Sequence, residues 1–200
     1  MGISVFEVMT VFFHASPTEG IRRLDPRVSN HQKPLVYLSS KRENVLVYLS
    51  NAVEKYCRET GFVHSGSYYK WASYGFNREG LLVLEEYWPN AILETYAGVS
   101  GYIYTAQAPA AQKQEDIPFA YISAEPVEIT GCEYVPDAYD VLLEAQHKGL
   151  LILKRYNENS EKTLQWIERT IQSEYTKAEE RPEYRAFLQA KFKHILIGEH

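Results

Sequence analysis

The amino-acid sequence predicts an α+β fold, with strands and helices mixed over residues 1–135 and a mainly helical segment after them. The hydrophobic share of 45% and the charged share of 24% are those of a globular chain that buries a proper core. Apolar residues form short or alternating runs in the first part, which is typical of strands, and recur at helical spacing in the last third. The elements do not follow the regular strand–helix alternation of a parallel sheet, and this order favours the α+β class.

The charge and the cysteine content restrict the classes of function. The 200 residues carry 21 Lys and Arg against 26 Asp and Glu, a formal charge of −5. The charge therefore does not indicate a nucleic acid as partner, and we expect no membrane as partner. No run reaches the ~18 apolar residues that cross a bilayer, and the start of the chain, with Glu7, is typical of a strand rather than a signal peptide. Cys57 and Cys132 have no CxxC partner, so we predict two buried small hydrophobic residues in a cytoplasmic protein without a metal site.

The first strands and the first helix are predicted from apolar spacing. The run VFFH and the alternation before it predict a first strand that ends at His14. A turn and a polar loop then lead to a second short strand over residues 34–38. Ser39 or Ser40 follows as the N-cap of a single amphipathic helix that ends at Gly61.

The middle of the chain is predicted to hold a hairpin, a short helix and further strands. Turn residues at 77–80 separate two strand-like runs, 68–76 and 81–88, and this spacing predicts a hairpin. Apolar pattern and Pro and Gly residues predict the remaining elements, which are a helix over 89–96, strands over 101–106, 119–122 and 126–134, and a polar loop over 109–118.

The last third is predicted to be mainly helical. The predicted elements are helices over 136–148, 160–177 and 182–197 and a short strand over 150–153. We therefore predict an α+β core over residues 1–135 and a mainly helical extension over 136–200 that packs on the core.

Three places in the sequence are candidates for chemistry: His14 at the end of the first strand, Tyr37 in the second strand, and Glu115–Asp116 in the polar loop. Each also has an ordinary structural explanation, since a histidine can end a strand, one of 16 tyrosines can pack in the core, and acidic residues solvate loops. The hypothesis of a site depends on their order along the chain. The sequence contains neither a GxGxxG motif after a strand nor a GxxxxGK[ST] motif, so it gives no support to a nucleotide-binding α/β fold.

The order of these motifs resembles that of the ADP-ribosyltransferase family. The segment VFFHASPTEGIRRLDP resembles the family's first motif, a strand ending in His followed by a small residue and Ser or Thr. The segment KPLVYLSSKRENVLVYLSNA resembles the second, a strand with Tyr followed by Ser or Thr and a helix. The third region is similar to that of rifampin-type ADP-ribosyltransferases, in the runs GYIYTAQAP, QEDIP and YISAEPVEITG. The resemblance covers roughly residues 10–56 and 100–135. It implies a split β-sheet core over residues 1–135 in which 57–99 is an insertion.

The resemblance implies an enzyme that uses NAD as a substrate and transfers ADP-ribose to an unidentified acceptor. The reaction breaks the bond between nicotinamide and ribose through an oxocarbenium-like transition state, as in glycoside hydrolysis. By resemblance, His14 bonds the ribose hydroxyl and Tyr37 stacks on the nicotinamide ring. Asp116 stabilises the oxocarbenium or orients the attacking group, and Glu115 takes this role if the register is shifted by one.

The resemblance also implies a set of NAD-binding residues. The backbone of Ala15 grips the carboxamide, Ser16 belongs to the same motif, and Ser39 supports the nicotinamide side. Arg22 and Arg23 reach the pyrophosphate, although two neighbouring arginines are also a common solvated charge pair.

Two other classes of function remain open on the sequence. The family has Gly where this chain has Ala15, and a methyl group there restricts the backbone. The alternative is therefore a non-catalytic module that binds a nucleotide or a partner on the same fold. A third interpretation is a chance match in an α+β interaction protein, in which His14, Tyr37 and Asp116 do not share a cleft.

Overall fold

The structure is a computed structural model that describes residues 10–28, 33–66 and 73–197. The chain forms two compact units, each built from two stretches of sequence. The first unit comprises Met1–Leu49 and Val99–Leu142, and the second comprises Ser50–Gly98 and Leu143–His200. The division thus groups the predicted insertion at 57–99 with most of the predicted extension at 136–200.

The first unit is built on a mostly antiparallel sheet, and the α+β class predicted from the sequence is confirmed. Its strands are β1 (Val11–Ser16), β2 (Arg23–Leu24), β3 (Arg27–Val28), β4 (Pro34–Ser39), β7 (Gly101–Gln107), β8 (Gln112–Lys113), β9 (Ala120–Ser123) and β10 (Val127–Val135). The strand order is β2-β10-β7-β1-β4-β9-β8, and β3 pairs with β4. The helix α3 (Ala138–His147) follows β10.

The sheet is nearly divided between β1 and β4. Along its whole length β1 pairs with β7, from Val11 opposite Gln107 to Ser16 opposite Tyr102. With β4, by contrast, the pairing of β1 consists of Phe13 opposite Ser39. This junction of β1 and β4 is the place to which the sequence assigns its candidate residues.

One face of this sheet carries an apolar core. Phe12 on β1 and Leu38 on β4 are both buried, and the ring of Phe12 makes an edge contact with Tyr121 at 4.8 Å. The buried members of this core are Phe12, Leu24, Val36, Leu38, Ala106, Ala108 and Val127. Because side chains alternate between the two faces of a strand, Tyr37 and Ser39 lie on the face opposite Val36 and Leu38.

The single helix predicted after β4 is two helices in the structure. A 3-10 helix, Arg42–Leu49, comes first, and the α-helix α1 (Ala52–Thr60) begins after it. Asn51 separates them, since its side chain accepts the backbone N–H groups of Val53 and Glu54, each at 3.1 Å, and so caps α1. The predicted end at Gly61 is confirmed, with φ of 77° in the left-handed region.

Within the described residues, the second unit combines a three-stranded sheet with five α-helices. Its elements are α1, β5 (Ser73–Phe76), β6 (Leu82–Glu85), α2 (Ala91–Tyr96), β11 (Leu151–Lys154), a 3-10 turn (Tyr156–Glu158), α4 (Glu161–Lys177), α5 (Pro182–Lys191) and α6 (Lys193–Leu196). The hairpin of β5 and β6 confirms the prediction at its described residues; positions 68–72 lie outside them. β11 pairs with β6 in parallel, which the local sequence pattern did not predict.

The core of the second unit is aromatic. Trp88 makes edge contacts with Phe187 at 5.7 Å and with Phe192 at 5.5 Å, and all three side chains are buried. Such edge-to-face pairs add to the stabilisation from burial alone. Ile167 and Ile171 of α4 are buried in the same cluster, as their helical spacing predicts.

Several boundaries differ from the predicted ones. β1 continues past His14 to Ser16, and the first nine residues lie outside the described part of the chain. The predicted polar loop at 109–118 contains β8, because Gln112 pairs with Ile122 of β9. Cys132 is exposed rather than buried, whereas Cys57 is buried as predicted. Within the described residues, no helix is both long and apolar enough to cross a bilayer.

Candidate functional site

The imidazole of His14 is held by the backbone of the neighbouring strand. Its Nδ1 lies 3.0 Å from the carbonyl oxygen of Tyr37. A carbonyl oxygen only accepts hydrogen bonds, so Nδ1 carries the hydrogen and donates it. In the neutral ring, Nε2 is then an acceptor, and the structure gives it no hydrogen-bond partner among the described residues.

The surroundings of His14 favour its neutral form. Burial is the largest effect and lowers the pKa of the imidazole below its usual value of 6.5. The hydrogen bond to the Tyr37 carbonyl acts in the opposite direction, and the positive charge of Arg27 lowers the pKa further. At neutral pH the site therefore presents an uncharged ring with an acceptor at Nε2.

The hydrogen bond from His14 replaces strand pairing at the junction of β1 and β4. Continuing the antiparallel register from the Phe13–Ser39 pair would place Ala15 opposite Tyr37, but these residues do not pair. Ala15 is only 5% exposed and pairs with Ile103 on the other side of β1. The two strands thus separate beyond Phe13. The His14 side chain donates to the Tyr37 carbonyl, which in a continued ladder would accept a backbone N–H.

Tyr37 and Ser39 lie on one face of β4, beside this junction. Tyr37 is partly buried and sits opposite Ile122 of β9. Ser39 is buried, and its Oγ accepts the backbone N–H of Lys41 at 3.0 Å. The Ser39 hydroxyl therefore forms the turn that leads into the Arg42–Leu49 helix, and its own proton remains available as a donor.

The acidic residues lie in the turn between β8 and β9. Glu115 and Asp116 are both exposed, and neither makes a hydrogen bond or ion pair with another described residue. The turn is tied to the end of β4, since Ser40 donates its N–H to the carbonyl oxygen of Phe119 at 2.9 Å. Phe119 has φ of 62°, a left-handed conformation that is strained for an aromatic residue.

The structure thus brings some of the predicted site residues together. His14, Ala15, Tyr37 and Ser39 lie along the junction of β1 and β4, where the His14 imidazole bonds the backbone carbonyl of Tyr37. By the alternation of side chains, His14 shares the face of Phe12, whereas Tyr37 and Ser39 lie on the opposite face. The turn with Glu115 and Asp116 is anchored one residue beyond Ser39, without a contact to His14.

The remaining predicted residues are further along the chain from this junction. Ser16 ends β1, and its Oγ accepts the N–H of Thr18 at 3.1 Å. Arg23 Nε lies 2.9 Å from Asp25 Oδ1, and both side chains are about half exposed. Arg22 is exposed, next to Arg23 at the start of β2.

Two residues that the sequence analysis missed also act at this site. Arg27 lies on β3 opposite Leu35, two positions before Tyr37, and its charge acts on His14. Tyr104 lies directly opposite His14 on β7 and is 1% exposed. Its hydroxyl donates to the carbonyl oxygen of Thr18 at 2.7 Å and accepts the N–H of Ile21 at 3.3 Å.

Tyr104 therefore fixes the loop that follows β1. Burial raises the pKa of its hydroxyl, which remains a neutral donor. A signal for Tyr104 exists in the sequence, since the alternation in GYIYTA places it on one face of a strand. Arg27 has no such signal, because its position depends on the pairing of β3 with β4.

The described residues contain no group of three or more His, Cys, Asp or Glu side chains arranged to hold a metal ion. Comparison with known proteins finds no match: no family model, no curated protein and no solved structure is similar to this chain.

Proposed function

We propose that the first unit has a split-sheet, ADP-ribosyltransferase-like fold and transfers ADP-ribose from NAD to an acceptor. The observation that carries this proposal is the hydrogen bond from His14 to the Tyr37 carbonyl, made where β1 and β4 cease to pair. The two residues that it joins are the His and the Tyr of the two segments that resemble the family's first and second motifs.

The protonation state of His14 suits an interaction with a ribose hydroxyl. Its Nδ1 hydrogen is used by the Tyr37 carbonyl, so Nε2 is the atom that remains for a ligand. A neutral Nε2 accepts a hydrogen bond from a hydroxyl group and fixes the ribose without a charge. The lowered pKa keeps the ring in this form at neutral pH.

Tyr37 provides the aromatic surface for the nicotinamide ring. The ring of NAD is cationic, and an aromatic face attracts a cation through its quadrupole. In the reaction the glycosidic C–N bond breaks and nicotinamide leaves as a neutral molecule with the bonding electron pair. The leaving group therefore needs no general acid, and the protein's part is to orient the ribose and to stabilise positive charge.

The acidic turn provides the negative charge. Asp116, or Glu115 in the shifted register, stabilises the developing oxocarbenium ion or accepts the proton of the attacking group. Both carboxylates are exposed, and the turn that holds them is linked to Ser40 at the end of the Tyr37 strand. On the other side of the site, Arg22 and Arg23 would meet the pyrophosphate.

The first experiment is thermal unfolding with and without millimolar NAD, with release of nicotinamide measured in the same samples. Ligand at about 100 times its dissociation constant adds about 2.7 kcal/mol to the free energy of unfolding. We expect a raised melting temperature together with release of nicotinamide. If neither occurs, the proposed function is wrong.

Substitutions then assign the activity to this site. His14→Ala and Tyr37→Ala should each reduce nicotinamide release by at least about a hundredfold while leaving the fold intact. His147→Ala and Tyr134→Ala, at exposed positions on α3 and β10, are matched controls and should keep full activity. Full activity in the two site variants would contradict the assignment.

A second candidate function is binding of a nucleotide or partner without transfer. It is favoured by the separation of the acidic turn from His14 and by Ala15 in place of the family's glycine. This candidate predicts a shift in melting temperature with no release of nicotinamide. Release that is lost in Asp116→Asn or Glu115→Gln excludes it.

A further inference from the structure

The second half of β10 lies at an open edge of the first sheet. β2 pairs with the first two residues of β10, Val127 and Glu128. The register of β10 against β7 then shifts between Ile129 and Gly131, as at a β-bulge. The next five residues, 131–135, pair with β7 on one side, and no described strand pairs with their other side. The β10 edge, residues 131–135, therefore begins where the bulge ends the pairing with β2.

The β10 edge offers backbone groups to a further strand. In an antiparallel pair, alternate residues direct their N–H and C=O groups away from the partner strand. Among the described residues, these groups of the β10 edge have no backbone hydrogen bond outside the pairing with β7. The side chains of Cys132, Glu133 and Tyr134 are exposed, so the edge is accessible. An accessible edge of this kind is where an extended peptide adds to a sheet.

Two tyrosines and a carboxylate lie beside the β10 edge. Tyr134 is opposite Tyr102 of β7 on one face of the sheet, with ring centroids 5.3 Å apart and 51° between the ring planes. Tyr134 is 57% exposed, so much of its ring faces solvent. Glu19, in the loop after β1, accepts a hydrogen bond from the Tyr102 hydroxyl. The Glu19 side chain is exposed and forms no ion pair with a described residue.

An aromatic surface next to an unpaired carboxylate suits a cation. The ring quadrupole attracts a positive charge, and a carboxylate forms charge-assisted hydrogen bonds with it. A guanidinium group suits both partners, because it is planar, stacks on aromatic rings and binds a carboxylate through two N–H groups. An ammonium group is a more strongly hydrated point charge and gains less from stacking. The chemistry of this surface therefore favours arginine over lysine.

We propose that an extended segment of a partner protein adds to the β10 edge as a strand and places an arginine guanidinium against Tyr134, Tyr102 and Glu19. Backbone hydrogen bonds to the edge hold the segment, and the arginine gives specificity. A second copy of this chain fits less well, because a twofold contact presents the same tyrosines and carboxylate rather than a cation. The inference goes beyond the proposed function and does not rest on it, since no step involves NAD.

The first test compares three probe peptides in NMR titrations of the unaltered protein. The probes are acetyl-Val-Thr-Arg-Thr-Val-amide and its analogues with citrulline or lysine in place of arginine, since β-branched residues favour the extended form. We expect the arginine peptide to bind at least about fivefold more tightly than the citrulline peptide, and also more tightly than the lysine peptide. Equal affinity of the arginine peptide and either analogue, or no binding of any probe, would overturn the inference.

Substitutions then assign the binding to this surface. Tyr134→Leu removes the aromatic face but keeps an apolar side chain, and Glu19→Gln removes the charge with little change of shape. Each should weaken binding of the arginine peptide about threefold or more. Tyr48→Leu and Glu79→Gln, at other exposed positions, are the matched controls and should bind as the unaltered protein does. Unchanged affinity in both surface variants would contradict the inference.

A further comparison tests the addition of a strand. Two forms of the arginine peptide carry N-methyl groups on alternate residues, one form at the valines and arginine and the other at the threonines. Only one of these sets faces the β10 edge in a paired strand, so one form should lose binding at least about tenfold while the other keeps it. Equal affinities of the two forms would overturn the addition of a strand.

Two readouts on the protein itself complete the test. Bound peptide should slow alkylation of Cys132, which lies in the β10 edge and is exposed, whereas Cys57 is buried. An unchanged alkylation rate at saturating peptide would place the binding elsewhere and overturn the inference. A protein that sediments as a dimer and binds no probe would show that a second copy occupies the edge instead of a peptide, and this result would also overturn it.

Discussion

The imidazole of His14 binds protons differently in the folded and the unfolded protein. Burial lowers its pKa in the folded state below the unfolded value of 6.5, so the unfolded chain binds the proton more readily. The stability that this group contributes is complete above pH 6.5 and is lost as the pH falls toward and through the lowered folded pKa. The hydrogen bond to Tyr37 opposes this shift, and the charge of Arg27 increases it.

The prediction at this scale concerns the pH dependence of unfolding. When the pH falls from about 7 to about 5, the melting temperature of the unaltered protein should decrease more than that of His14→Asn. The amide of the variant keeps a donor near the Nδ1 position but does not titrate. Melting curves at closely spaced pH values provide the measurement. Two parallel profiles would show that His14 is not the group responsible.

Most elements of the fold follow from local sequence. The other elements form only by pairing with residues that are distant along the chain. The strand of Tyr37 and the helix capped by Ser160 lie within a residue of their predicted bounds, because apolar spacing and capping residues mark them. β8 was predicted as loop, since two polar residues become a strand only by pairing with β9. The sequence therefore predicted which residues form the acidic turn between β8 and β9, but not the position of this turn next to the end of β4.

The break between the Arg42–Leu49 helix and α1 also has a local cause. Asn51 accepts two N–H groups of the first turn of α1, as Asn at an N-cap does. The apolar stripe continued across this position and concealed the signal. The sequence contained the capping residue, but an unbroken hydrophobic pattern favoured one longer helix.

Replacing this cap should weaken the protein. Asn51→Ala should reduce the free energy of unfolding by about 1 kcal/mol, because two N–H groups lose their acceptor. Urea unfolding measures the change. Asn157→Ala, at an exposed position in the 3-10 turn Tyr156–Glu158, is the control and should be neutral. Equal effects of the two substitutions would argue against a capping role.

At the scale of the whole molecule, the division into units was beyond the reach of the sequence. The second unit combines residues 50–98 with residues 143–200, and its sheet pairs Leu82 with Leu151 in parallel. Such long-range pairing leaves no local pattern. The candidate site shows the same limit, since the sequence named His14 and Tyr37 but gave no sign of Arg27, whose position depends on the pairing of β3 with β4.

Glu86 connects the two stretches of sequence in the second unit. It is 2% exposed, and its carboxylate accepts N–H groups of Ile92 at 3.2 Å and Tyr156 at 3.0 Å. The guanidinium of Arg155 lies 3.4 Å away. A buried carboxylate with these partners fixes the starts of α2 and of the 3-10 turn Tyr156–Glu158.

Loss of this carboxylate should destabilise the unit strongly. Glu86→Leu should cost about 3 kcal/mol, because it leaves buried donors and the Arg155 charge without their partner. The adjacent Glu85, which pairs with Lys154 at 2.8 Å nearer the surface, provides the control. Glu85→Leu should cost less than about 1 kcal/mol in the same urea titration. Similar losses in both variants would contradict the role of Glu86.

The division of the chain into two units also determines what a fluorescence experiment on this protein reports. All three tryptophans fall in the stretches 50–98 and 143–200, whereas the candidate site is built from the other two stretches. Intrinsic tryptophan emission therefore follows the second unit, and the stretches of the first unit, which contain tyrosine but no tryptophan, contribute little at those wavelengths. A ligand of the site therefore raises the melting temperature measured by tryptophan emission only if the second unit unfolds together with the first. Circular dichroism records the unfolding of both units, so it is the readout for the shift in melting temperature that the proposed function predicts with NAD.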